Sequence, residues 1–139
     1  MQVSLPMYDL PELIETHELF WRGLRRWLSE EGMAALPEQL DWPQDLDKAW
    51  HSPDLLLSQT CGYPLVHALR GKQRYVGTPS YAVPGTAGSL YSSAIMVRTD
   101  DPAADIAGLR GRRAAFNGFD SQSGYNALRD LVAPLAESG

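Results

Sequence analysis

The sequence predicts an α/β protein with a mainly parallel sheet flanked by helices, and three observations predict it. Short strand-like segments, Gln2 to Met7 and Leu55 to Leu57, alternate with segments of helical period, so the first ninety or so residues read β-α-α-β-α-β. Strands separated by helices pair in parallel, because a crossover helix returns the chain to the same end of the sheet. Finally, two strand-to-helix junctions, Ser58-Gln-Thr-Cys-Gly62 and Asn117-Gly-Phe-Asp-Ser-Gln-Ser-Gly124, are built of small polar residues and glycine. Free N–H groups and hydroxyls converge at such corners, where open α/β sheets bind ligands.

Val3, Leu5 and Met7 alternate with Gln2, Ser4 and Pro6, which marks the first strand and places Tyr8 at its carboxyl end. Asp9 is the expected N-cap of the next helix, with Glu12 three residues on and Pro11 in the first turn. Leu13, Ile14, His17, Phe20, Trp21, Leu24, Trp27 and Leu28 then recur at three- and four-residue steps down to Gly32, one broad apolar stripe that puts Trp21 and Trp27 in the core. His17 lies on this stripe with no second ligand at helical spacing, so it reads as a satisfied histidine at the core edge. Arg22, Arg25 and Arg26 occupy the other face beside Glu18, Glu30 and Glu31, a solvated and locally paired surface.

Asp41 and Pro43 are expected to start a short helix through Leu46, Ala49 and Trp50, which Ser52-Pro53 stops. The unbroken run Leu55 to Leu57 suits a strand covered on both faces. Beyond the corner, Tyr63 to Leu69 forms a helix ended by Gly71, and Arg74 to Gly77 reads as another strand. Thr78 to Leu90 has no periodicity and is a loop. Tyr91 to Arg98 and Arg112 to Asn117 read as strands, with a helical turn around Asp105 to Leu109 between them. Tyr125, Leu128, Val132 and Leu135 trace the apolar face of a last helix, which Pro134 is expected to interrupt.

Composition narrows the function. A length of 139 residues suits one ordinary domain with a real core, without staples. A formal charge of -5 argues against a nucleic-acid partner, which would call for a basic face. No apolar run is long enough to insert in a membrane, and residues 1–20 carry four acidic side chains and no lysine or arginine, unlike a secretory signal. The chain as written is therefore expected in the cytoplasm, or in the periplasm if it is a mature form. Cys61 is the single cysteine, which excludes an intrachain disulfide.

At the second junction Ser121, Ser123 and Gly124 fall at a helix start, where N–H groups lack intrahelical acceptors and the dipole is positive. Hydroxyls there add donors, so an oxyanion can be held without a basic side chain; Asp120 opposes this if it points inward. The competing reading is that Ser121 or Ser123 only caps the helix.

Four segments, Ser4-Leu-Pro-Met-Tyr-Asp9, Trp50 to Pro64, Tyr91-Ser-Ser-Ala-Ile-Met-Val-Arg98, and Leu109 to Asn117 followed by Ser121-Gln-Ser-Gly-Tyr125, together resemble the phosphate/phosphonate-binding proteins of ABC transporters, most of all the branch without an evident signal peptide. The resemblance implies a type II periplasmic-binding fold: a first α/β lobe over 1–90, a crossing strand over 91–98 and the beginning of a second lobe over 99–139. It also implies a small anionic ligand bound without chemistry and without a cofactor or metal. Tyr8 would line the first lobe, Gln59 and Thr60 would contact ligand from the corner, Tyr91 with Ser92 and Ser93 would lie near the crossing, and Ser121, Ser123, Gly124 and Tyr125 would cradle the anion. An ABC permease is the partner this family implies. Family members are about twice as long, so uncovered strand edges lead to an expectation of homo-oligomers or strand exchange. The alternatives are an enzyme on the same fold, with Cys61 as nucleophile and His51 or His67 as base, and a structural or interaction fragment.

Overall fold

The structure, a computed structural model, describes residues 1–137 and is mixed α/β with small sheets. The chain divides into two units, Met1–Lys72 and Gln73–Gly139.

In the first unit, strand β1 (Gln2–Ser4) leads through a 3-10 turn (Pro11–Leu13) into helix α1 (Ile14–Glu30). Helix α2 (Leu46–Trp50), strand β2 (Leu55–Ser58) and helix α3 (Gly62–Val66) follow. β1 and β2 pair in parallel, with Val3 beside Leu57 and Ser4 beside Ser58, and an irregularity between Gln2 and Val3. The other edge of β1 is met by Asp41, whose N–H donates to the Val3 carbonyl (2.7 Å) and whose carboxylate accepts from the Val3 N–H (3.1 Å). Both backbone groups of a fully buried strand residue are thereby satisfied. Asp41 is thus a strand partner and does not start α2; the N-cap is Asp45, whose side chain accepts from the Lys48 N–H.

Val3, Leu5, Trp21 and Leu40 form the core, with Leu24, Leu28, Trp42, Leu56 and Leu57 packed against it. Trp21 has no exposed surface, and its indole N–H donates to the Pro37 carbonyl. The connection after α1 is thereby tied to the helix. Trp27, by contrast, is 55% exposed, as are Phe20 and Ile14 in similar measure. The reason is geometric: Trp21, Leu24 and Leu28 share the narrow face that a two-stranded sheet covers, and the rest of the broad apolar stripe has nothing to lie on. α1 ends in a Schellman turn, in which Gly32 takes φ +92°, its N–H donates to Ser29 and the Met33 N–H donates to Leu28. Asp9 does not cap the helix entry; the residue preceding the 3-10 turn is Leu10, without a side-chain cap. His17 stacks on Trp42 at 6.0 Å and is half-buried at the core edge, but it is not the satisfied histidine expected: its buried Nδ1 has no hydrogen-bond partner among the described residues.

In the second unit, strands β3 (Thr86–Ala87) and β4 (Leu90–Tyr91) form a minimal antiparallel hairpin. A 3-10 turn (Ala107–Leu109), one turn of π-helix (Gln122–Asn126) and helix α4 (Ala127–Glu137) complete it. α4 runs through Pro134 without interruption. The expected strands at 74–77 and 112–117 carry no ladder, and of the expected strand at 91–98 only Tyr91 is paired. Their side chains show why: Val76, Ile95, Met96 and Val97 are exposed, so no apolar burial offsets the entropy of holding a strand.

Candidate functional site

The parallel pairing of β1 with β2 sets the carboxyl ends of the two strands side by side, and the polar corner forms there. Ser4 and Ser58 share a hydroxyl hydrogen bond of 2.8 Å, and the Trp50 indole N–H donates to the Ser58 oxygen (3.2 Å) and to the Gln59 carbonyl (3.1 Å). Ser4 is almost fully buried, so this small network satisfies polar atoms that would otherwise be costly inside the unit. One residue further out, the Gln59 side-chain oxygen accepts from the Met7 N–H (3.3 Å), bringing the Met7-Tyr8 exit of β1 against the Gln59-Thr60 exit of β2. The Thr60 hydroxyl donates to the Cys61 carbonyl, and Tyr8 is exposed beside Met7 in sequence. Cys61 is half-buried with its sulfur 3.6 Å from that of Met7.

The histidines put forward as bases for Cys61 have other partners. His51 turns its Nδ1 to the Asp47 carbonyl (2.8 Å) and its Nε2 to Lys72 (3.1 Å). His67 stacks on Tyr63 at 4.1 Å.

The second group of candidates collects around the start of the last helix. Ser121 is buried and is the N-cap: its hydroxyl accepts from the Gly124 N–H (3.0 Å) and its carbonyl from the Asn126 N–H and side-chain amide (both 3.1 Å). Ser93 donates its hydroxyl to the Ser123 carbonyl (3.3 Å), so an extended segment thirty residues earlier is held against this turn. Ser92 is tied by its N–H to the Gly85 carbonyl (3.0 Å), beside the hairpin in which Tyr91 pairs with Thr86. Asn117 lies so close over Gly124 that a methyl there would overlap its side-chain oxygen, a close approach only glycine permits. Tyr125 packs its ring against Phe116 (4.8 Å) and Phe119 (4.9 Å), with the Arg129 guanidinium 5.5 Å from its centroid. Asp120 is exposed.

The candidates therefore form two local groups: Gln59 and Thr60 with the end of β1 in the first unit, and Ser93, Ser121, Ser123, Gly124 and Tyr125 in the second. Asn117, Asn126 and Met7 join these groups without having been singled out from sequence; the polar run from Asn117 to Asn126 was the available signal for the first two.

Two carboxyls are perturbed by local partners. The Lys48 N–H, with the Lys48 ammonium behind it, holds the Asp45 carboxyl below its ordinary value. Hydrogen bonds from Arg98 do the same for Asp100. In the first unit a depression of about 250 Å³ opens near Asp41, Asp45, Lys48, Ser4 and Ser52; it shares Ser4 with the corner network, and neither Gln59 nor Thr60 lines it. Its two carboxylates accept backbone N–H groups of Val3 and Lys48. Among the described residues no cluster of three metal-binding side chains is present, and no helix is long and apolar enough to cross a membrane.

No family model matches the chain, and no curated protein or solved structure shows significant similarity to it.

Proposed function

We propose that the chain is a non-catalytic binding module for a small oxyanion or a phosphonate- or phosphate-like metabolite, on a type II periplasmic-binding-like plan of the kind used by ABC-transporter substrate-binding proteins. The observation that carries this reading is the Ser121–Asn126 turn: a buried serine caps it, Gly124 allows close approach, and Ser93 is hydrogen-bonded to it. The first N–H groups of that turn precede any intrahelical acceptor, which is the donor geometry that anions use. The parallel β1–β2 pair supports the same plan, because it places Gln59 and Thr60 at strand carboxyl ends. On this reading Tyr91, Ser92 and Tyr125 surround the ligand at that turn, Tyr8 stands with Gln59 and Thr60 at the corner of the first unit, and the partner is an ABC permease or a second copy of the chain.

Thermal unfolding against phosphate, phosphite, alkylphosphonates and sulfate at constant ionic strength tests it. A ligand at a hundred times its dissociation constant stabilises the native state by about 2.7 kcal/mol, a shift of several degrees. The expected result is a shift with one headgroup class that Ser123→Ala abolishes. Unchanged melting with every oxyanion sinks the proposal.

A further inference from the structure

Helix α1 carries two stripes side by side, and the first unit uses only one of them. His17, Trp21, Leu24 and Leu28 recur at steps of four, three and four; Trp21 is in the core, Leu24 and Leu28 pack against it, and His17 stacks on Trp42. One step round the helix, Thr16, Phe20, Gly23 and Trp27 repeat the same steps and share a face of their own. All four are exposed: Phe20 keeps 59% of its surface and Trp27 55%, and Leu19 beside them keeps 62%. Two helical turns separate the two rings, and Gly23 lies between them. A Cβ placed on Gly23 would meet no heavy atom within 4 Å beyond its own helix backbone and its chain neighbours, so the space above it is open. Gly23 has no left-handed backbone to account for it, and an interior glycine weakens a helix relative to alanine. What it provides is a hole between two large rings.

Alternating steps of four and three are the spacing of a coiled-coil seam, in which each large side chain enters a hole on the facing helix. The occupant that fits follows from the order of sizes along the stripe, small, large, small, large from Thr16 to Trp27. Laid antiparallel on a copy of itself, the stripe sets Phe20 over Gly23 of the second copy and Trp27 over Thr16 of the second copy, and two-fold symmetry makes each contact twice. Every ring then meets a small residue. A parallel copy would instead set ring on ring and glycine on glycine, overfilling two layers, emptying a third and aligning the helix dipoles. We propose that this face of α1 seats a second copy of the chain, docked antiparallel with the helices crossing between Phe20 and Gly23. The flank agrees: Leu19 and Arg26 border the same side of the stripe and come opposite each other across the axis, where the Arg26 stem covers Leu19 while Glu30 balances its charge. Two half-exposed rings per copy, each burying at most about 150–250 Å², fall short of the about 800 Å² per partner of a standard interface. The dimer is therefore weak and reversible. This inference is independent of the oxyanion reading.

Sedimentation velocity on the full chain, from about 1 µM to about 1 mM, tests the proposal. The weight-average mass is expected to rise toward twice the monomer value across that range. Gly23→Glu places a charged side chain in the hole yet meets open space in the single chain, so it should hold the mass at the monomer value with the helical circular dichroism retained. Phe20→Ser, which removes an exposed ring, should weaken association at least about tenfold. Orientation is read in a Cys61→Ser background with a short bismaleimide: Leu19→Cys mixed with Arg26→Cys should crosslink, and Leu19→Cys alone should not. A mass that stays at the monomer value up to the highest concentration overturns the proposal. So does a dimer that Gly23→Glu and Phe20→Ser both leave intact, because association then uses another surface. Leu19→Cys linking to itself more readily than to Arg26→Cys, the mark of a parallel pair, overturns it as well.

Discussion

The two units of this chain are similar in length and opposite in how they are held together. In Met1–Lys72 a helix lies on a parallel strand pair over a buried core of Val3, Leu5, Trp21 and Leu40. In Gln73–Gly139 the only buried described residue is Ser121, and the large side chains either cluster at partial exposure, as Phe116, Phe119 and Tyr125 do, or face solvent outright, as Val76 and Met96 do. The second unit instead relies on turns and local polar ties: the Ser121 cap, the Ser93–Ser123 bond, and the ion pairs of Arg98 with Asp100 and Arg112 with Asp101. The fully exposed Arg98–Asp100 pair contributes little by itself. The difference teaches that a strand pattern in sequence becomes a strand only where another element covers it. Leu55 to Leu57 met α1 and β1; the equally apolar Ile95 to Val97 found no covering element in its own unit and stayed irregular.

The comparison breaks most readily at Trp21. Trp21→Ala removes the largest fully buried side chain and the indole bond to Pro37, and should cost the first unit about 3–5 kcal/mol. Against a typical domain stability of about 5–15 kcal/mol this is a large share, and the midpoint of urea unfolding followed by far-ultraviolet circular dichroism should fall accordingly. A loss below about 1 kcal/mol would show that the core does not carry the unit.

A smaller effect is expected at the polar anchor of the second unit. Ser121→Ala removes the hydroxyl that accepts the Gly124 N–H and should cost about 1 kcal/mol. Hydrogen exchange should quicken across Gln122–Asn126 while α1 stays as protected as before. Restoration by Ser121→Thr, which keeps the hydroxyl, would tie the loss to the cap.

The smallest effect sharpens the contrast from the other side. Met96 is 85% exposed, so Met96→Ala should leave stability within about 0.5 kcal/mol of the parent, although the same truncation in a core costs several times that. A measured loss above about 1.5 kcal/mol would mean that the 91–98 segment is covered in solution, for example by a second copy.

What the sequence determined by itself is everything that rests on local chemistry. The alternation of β1, the helical period from Leu13 to Leu28, the Gly32 stop, the apolar run of β2 and the Ser121 helix start were legible because each depends on residues within a turn or two of each other. So was the polar corner after β2, whereas the second leaves an irregular segment where a strand was expected. Tertiary structure alone decided which side chains were covered: Trp27 lost its core position because the sheet is two strands wide, and Asp41 left the helix start to satisfy the backbone of Val3. It also brought Lys72 to His51 across twenty-one residues, a meeting no local pattern announces. The physical reason is common to these cases: periodicity states which residues can share a face, while burial depends on what the rest of the chain brings to that face.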